Sequence, residues 1–344
     1  MDLFTTDVMM PVVRQLKLAP SFFLDRYFPF VRAEASEEIH FDLDDRKRRV
    51  APFVSPKVAG KVVASRGQNV KTFKPAYIKD KRIFDPDAPL KRTAGEAVGG
   101  DLTPADRIRV RLALELEDQL DMINRRLELM AAEALTSGQV TVSGDQYPEV
   151  VVDFLRDASL DVATPGVTWD NAATAVPLDD IADAAPLALK LSGVNPVDVI
   201  MDADAWKAFR NTTQVKDRMN VRGRPGVNID PSAPFGEGAT FMGDVDGFNI
   251  FVYQGWYVDP ADDTTVTPFL ASGTVIMAGG GPQGLAGIRA FGAIRDEQAG
   301  YMAVPYFPKS WVENDPSVRY LLMQSAPLVV PSRVDACLSF NALT

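Results

Sequence analysis

The chain has 344 residues, 46% of them apolar and 24% charged, with a formal net charge of -10. That composition fills a sizeable core and excludes a wholly disordered chain. One histidine, His40, and one cysteine, Cys337, exclude an internal disulfide framework, a Cys/His zinc site, an HExxH motif and a cysteine–histidine dyad.

Residues 1–37 read as an arm rather than a domain. Asp2 and Asp7 precede any Lys or Arg, unlike the basic start of a secretory signal. No apolar run in the chain reaches the roughly 18 residues of a membrane span, and the lone cysteine points to a reducing compartment. Between positions 21 and 30 lie Phe22, Phe23, Tyr27, Phe28 and Phe30, on a stretch too short to bury them by itself. Two readings stay open. The rings belong to the chain's own core, or they form an apolar strap over an adjacent subunit.

Ile39-His40-Phe41-Asp42-Leu43 alternates as a strand, with His40 facing solvent or a neighbour; a serine–histidine–aspartate triad would have to use it. From Arg46 to Arg92 the chain carries fourteen Lys/Arg against three acids, a balance of +11, which leaves -21 for the remainder. Residues 57–64 and 69–74 are strand-like, and residues 65–68 supply the turn, with Gly67 free to take positive φ. Lys57, Lys61, Arg66, Lys71 and Lys74 line this ribbon. A charged two-stranded ribbon is marginal alone in water and needs a surface. Nucleic acid is one candidate; the acidic body of an identical neighbour is the other. Aromatics for base stacking are sparse (Phe53, Phe73, Tyr77, Phe84), which favours the neighbour.

The spacing predicts a long helix over 103–137. Thr103 is the N-cap, Pro104 the first helical residue, Asp106 suits the positive end of the dipole, and Gly138 is the stop. Ile108, Leu112, Leu116, Leu120, Ile123, Leu127, Met130 and Ala134 form one apolar stripe, with Arg and acid side chains on the other faces. Beyond it the pattern is mixed: a helix over 178–191 closed by Gly193, a strand over 197–201, and a helix capped by Asp204 running to about Met219. A hairpin over 239–253 turns through 243–247, and strands follow at 274–278, 287–294, 318–322 and 334–340.

Three motifs invite chemistry. Gly279-Gly280-Gly281-Pro282-Gln283-Gly284 fits GxGxxG, but Pro282 lies inside the turn and no βαβ unit surrounds it. Asp202-Ala203-Asp204 resembles a metal-binding DxD, yet helix capping accounts for it more simply. Paired acids at 44–45, 179–180 and 262–263 sit in turn-like or helix-start surroundings. A nucleotide-using α/β enzyme and a DNA-binding protein are the competing readings.

Three stretches resemble the lambda-type family of tailed-phage major capsid proteins, the capsid protein E family with the HK97-like fold. They are Arg26-Tyr27-Phe28-Pro29-Phe30; Phe53-Val54-Ser55-Pro56-Lys57-Val58-Ala59-Gly60-Lys61-Val62 with Ser65-Arg66-Gly67 and residues 73–79; and Phe307-Pro308-Lys309-Ser310-Trp311-Val312 with residues 315–316 and 323–328. The resemblance implies an α+β fold: an arm at 1–37, an extended hairpin (the E-loop) at 38–85, a peripheral domain at 86–179 and 316–344 around a spine helix at 103–137, and an axial domain at 180–315. It implies a structural subunit without enzymatic activity or cofactor, assembled in the host cytoplasm into pentamers and hexamers of an icosahedral head around double-stranded DNA. Implied partners are further copies of the chain, a portal, a decoration protein, DNA without sequence preference, and a scaffolding protein. The scaffold is expected to be a separate chain, because the E-loop begins within 40 residues. The expected intersubunit contacts are Lys57, Lys61, Arg66, Gly67, Lys71 and Lys74 on the E-loop, and Phe22, Phe23, Tyr27, Phe28 and Phe30 on the arm.

Overall fold

The computed structural model describes residues 4–36, 38–43, 69–84, 103–144, 147–219, 227–228, 238–260, 262, 264–281, 284–315 and 317–344. Two short helices, α1 (Thr6–Gln15) and α2 (Phe22–Tyr27), and strand β1 (Phe30–Ala33) come first. Strands β2 (Ile39–Leu43) and β3 (Asn69–Phe73) pair antiparallel, Ile39 opposite Phe73 and Leu43 opposite Asn69. The partner found for 69–73 is therefore 39–43; the strand expected at 57–64 lies outside the described residues. Strand β4 (Ile78–Phe84) follows.

Helix α3 (Pro104–Ser137) forms for the local reasons the sequence gives. Thr103 Oγ1 accepts the Asp106 amide at 3.2 Å, Pro104 takes the first turn, and Gly138 ends the helix at φ 68°. Its 34 residues span about 50 Å. No basic residue occupies its last turn; Arg156 arrives from outside and donates to the carbonyls of Leu135 at 2.9 Å and Thr136 at 2.5 Å. A cation there complements the negative end of the helix dipole. The expected stripe is buried from Leu112 to Ala134, with Ile108 half-buried. The other faces are less exposed than expected: Gln119, Asn124 and Glu128 are buried too, because α2 and the sheets wrap a second side of the helix.

A hairpin, β5 (Gln139–Gly144) and β6 (Tyr147–Asp153), leads to α4 (Pro177–Ser192), β7 (Asp198–Met201), α5 (Ala203–Asn211) and α6 (Thr213–Met219). The helix expected through Met219 breaks at Thr212, an extended and fully buried residue whose hydroxyl donates to the Phe209 carbonyl at 2.8 Å. Its cap is Asp202 rather than Asp204, accepting the Asp204 and Ala205 amides at 3.0 and 2.9 Å. The capping account of that DxD holds.

Strands β8 (Val227–Asn228), β9 (Ala239–Val245), β10 (Phe248–Tyr253), β11 (Trp256–Val258), β12 (Val266–Pro268) and β13 (Thr274–Ala278) follow. The β9–β10 turn is tighter than expected. Asp246 and Gly247 take φ of 50° and 89°, the signature of a two-residue primed turn, while residues 243–245 stay in strand across a register shift. The chain ends with β14 (Ile288–Phe291), β15 (Phe307–Asn314), β16 (Ser317–Ser325), β17 (Pro327–Val330) and β18 (Cys337–Asn341).

The largest sheet described has the order β18-β13-β7-β10-β9-β8, with β10 parallel to β7 across the α5–α6 connection. Both its faces are covered, which is why residues 199–201 of β7 and 275–278 of β13 are unbroken apolar runs. Val199, Met201, Val275, Met277, Leu338 and Phe340 meet α4 and α5, whereas Ile200, Ile276, Ala278 and Cys337 join the core around α3. The last strand, β18, thus belongs to the sheet of the 198–278 segment, although residues 316–344 were expected with the peripheral region. A second sheet, β15-β16-β4, turns Phe84, Leu321 and Met323 inward. A third, β1-β14-β17, leaves β1 as an edge. After Gly279–Gly284 the next element is β14, a strand rather than the helix of a nucleotide site. A Cβ on Gly284 would lie 2.2 Å from the Gly279 carbonyl oxygen, so close backbone approach explains Gly284, while Gly281 takes a φ of 71°.

Candidate assembly surfaces

Of the expected E-loop contacts, Lys57, Lys61, Arg66 and Gly67 lie outside the described residues. Lys71 sits in β3 opposite Phe41, and Lys74, just beyond, is exposed. The basic character continues along β4, where alternation divides the charges. Lys79 and Lys81 are exposed. Lys81 Nζ lies 3.9 Å from the centre of the Tyr320 ring, which meets the Trp311 ring at a tilt with centres 5.4 Å apart. Arg82 turns the other way, onto α3, reaching Glu115 at 2.9 Å and Asp118 at 3.4 Å. Burial works against its charge, but Glu115 and Asp80 together hold its pKa above the ordinary arginine value.

The arm expectation needs correction. Phe22, Phe23, Tyr27 and Phe28 are buried within this chain's own core and are not offered to a neighbour. Phe22 packs on Phe251 and Tyr253 with ring centres 5.2 and 5.9 Å apart, and Phe23 on Tyr253 at 4.5 Å. Burying each ring is worth about 2–3 kcal/mol, and a helix six residues long finds that surface between α3 and the large sheet. Only Phe30, 51% exposed on the β1 edge beside Val31, remains outward.

Other exposed apolar groups sit on α3. Leu114 and Met122 are each about half exposed, and at helical spacing they share a face with the acids Glu117, Asp118 and Asp121. Met122 also lines an open groove of about 850 Å³ between α3, β4, β5 and the β11–β12 ribbon, where Trp256 is 59% exposed.

The buried acids are saturated by protein. Asp198 receives Arg26 Nε at 2.7 Å and Nη2 at 2.8 Å, the Tyr27 hydroxyl at 3.0 Å and Asn249 Nδ2 at 2.9 Å. Burial, then the adjacent Asp198 charge, pushes the Tyr27 phenol well above its ordinary value. Glu128 accepts the Phe23 and Leu24 amides at 2.9 and 3.0 Å and the Tyr253 hydroxyl at 3.3 Å. Groups so committed hold the chain together. Among the described residues no three His, Cys, Asp or Glu side chains converge as metal ligands. Sequence reasoning missed Glu128 and Asp198. For Glu128, the available signal was Asn124 and Glu128 four residues apart beside the apolar stripe.

The family model described as "Phage major capsid protein E" matches residues 5–342. The major capsid protein of Escherichia phage lambda is 28% identical over 351 residues, covering 98% of this chain and 99% of that protein. That of Enterobacteria phage P21 is 29% identical over 339 residues, covering 96% of each. The crystal structure of a putative prophage capsid protein from E. coli CFT073 superposes with a TM-score of 0.73 at 22% identity, covering all of both chains, and carries the same α+β, HK97-like fold. With most of its described apolar surface folded inward, its buried acids spent on internal bonds and its remaining exposed rings and charges on outer faces, this chain belongs to the phage major capsid protein E family and is a structural subunit of a phage capsid.

Proposed function

We propose that copies of this chain associate head to tail, the basic E-loop of one crossing the spine helix of the next, to close pentamers and hexamers of an icosahedral head around double-stranded DNA. The observation that carries this is the mixed face of α3. Leu114 and Met122 flank Glu117, Asp118 and Asp121, which complements a segment whose sequence mixes valines with Lys57, Lys61, Arg66 and Lys71. Opposite charge fixes orientation and register; the apolar contacts supply affinity. Among the described residues β1 is paired on one side only, and it offers Phe30 and Val31 as a further contact, since a sheet edge with exposed apolar side chains invites another chain. Assembly takes place in the host cytoplasm with a separate scaffolding protein, a portal and a decoration protein. DNA contact is non-specific.

The test is a charge swap. Lys61→Glu with Arg66→Glu leaves a folded monomer that fails to form shells in electron micrographs of scaffold-co-expressed material. Adding Glu117→Lys, Asp118→Lys and Asp121→Lys restores shells. Normal shells from the first variant at physiological salt would refute the electrostatic account.

A further inference from the structure

Helix α2 lacks a cap of its own. Ser21 makes no capping bond, and its hydroxyl instead accepts Asn124 Nδ2 at 2.7 Å. The first amides of the helix, those of Phe23 and Leu24, are taken by the two oxygens of Glu128, 105 residues further along the chain from Phe23. The other end of α2 is held by the large sheet. Arg26 and Tyr27 bond Asp198 on β7, the Arg26 guanidinium lies 4.5 Å over the Phe251 ring, and the Gly287 amide donates to the Tyr27 carbonyl at 3.0 Å. A cavity of about 280 Å³ opens beside Glu128, lined among others by Ser21, Asn124, Tyr253 and Gly255.

We infer that α2 is a proton-controlled clasp between the spine helix and the large sheet, released at Glu128. When the carboxyl carries its proton the clasp is closed and neutral. When the proton leaves through the adjoining cavity, a buried negative charge remains, and the released arrangement, in which that charge meets water, gains on it. Among the described residues, the charged and titratable groups facing this carboxyl are few. Helix α2 brings Asp25 and Arg26, the latter committed to Asp198; α3 itself brings Asp121 and Arg125; β10 brings Tyr253. Burial pushes the Glu128 carboxyl up to about 7, against the pull of the Phe23 and Leu24 amides and the Tyr253 hydroxyl, with Asp25 adding to the rise. A group that binds its proton more tightly in the closed form favours closure on protonation and opening on deprotonation.

The clasp lies within one chain, so its test is separable from any test of contacts between copies. Hydrogen exchange of the peptide spanning residues 20–28, read by mass spectrometry on the full-length monomer and corrected for intrinsic amide chemistry, follows its opening. For the wild type, protection falls roughly tenfold between about pH 6 and about pH 8. In Glu128→Gln the step disappears. In Asp198→Asn, which weakens the far end only, protection is lower throughout but the step remains. A flat wild-type profile overturns the inference, as does a step that persists in Glu128→Gln or vanishes in Asp198→Asn; the wild-type profile decides even where a variant fails to fold.

Discussion

At the scale of single residues, the strongest commitments are ones no local pattern announces. Arg26 and Asp198 are separated by 172 positions, yet the Asp198 side chain has no solvent exposure and depends on that guanidinium. Removing one member of such a pair strands the other charge. Arg26→Met therefore lowers stability by roughly 3 kcal/mol in urea unfolding, and adding Asp198→Asn recovers part of the loss. Glu128 acts with the opposite sign. Its folded value, about 7, lies above the ordinary 4.5, so its stabilising contribution is complete below about pH 4.5 and is lost as pH rises through about 7. Glu128→Gln thus gains on wild type by about 3 kcal/mol between about pH 4.5 and about pH 8, a difference that urea midpoints across pH will show. Asp198 was not legible in the sequence, and Glu128 only through its place four residues after Asn124 beside the apolar stripe. What makes each necessary is a partner brought from far along the chain, and an acid on a long helix reads, by default, as a solvated one. The arm aromatics failed for a related reason: a short apolar stretch states that it needs cover, not whose.

Elements were legible wherever their causes are local. Helix α3 has its cap, proline, stripe and stop within its own span, and the structure reproduces each. Thr103→Ala costs about 1 kcal/mol through the lost cap. Gly138→Ala costs more than about 1 kcal/mol, since φ is positive there and the new Cβ would lie 2.6 Å from that of Arg156; thermal melts of the two variants give the order. The break at Thr212 and the pairing of β3 with β2 were not legible. The first depends on a buried hydroxyl bond, the second on a strand 26 residues back at its nearest approach, Leu43 to Asn69.

For the whole molecule, the uneven distribution of charge is a property of composition and could be counted directly: +11 over residues 46–92 and -21 elsewhere. If those segments meet across subunits at an exposed face, added salt screens the attraction, with a Debye length of about 8 Å at physiological ionic strength and about 3 Å at 1 M. Light scattering of assembling protein will then rise more slowly as sodium chloride increases. The family was legible as well, from three stretches within the 5–342 span that the family model matches, whereas the joining of β18 to a sheet whose other strands lie far upstream was not.

One consequence follows from how α3 is fastened. Arg156 seals its last carbonyls and residues 130–132 and 134–135 are buried, while the first buried side chain after Thr103 is Leu112. The helix is a cantilever, rooted beside the large sheet and lightly held at its tip. Over a rod of about 50 Å, a tilt of about 5° at the root carries the tip about 4 Å. Small rotations near Gly138 are therefore amplified into ångström-scale sweeps near Thr103, with β4 carried along part of the way through Arg82.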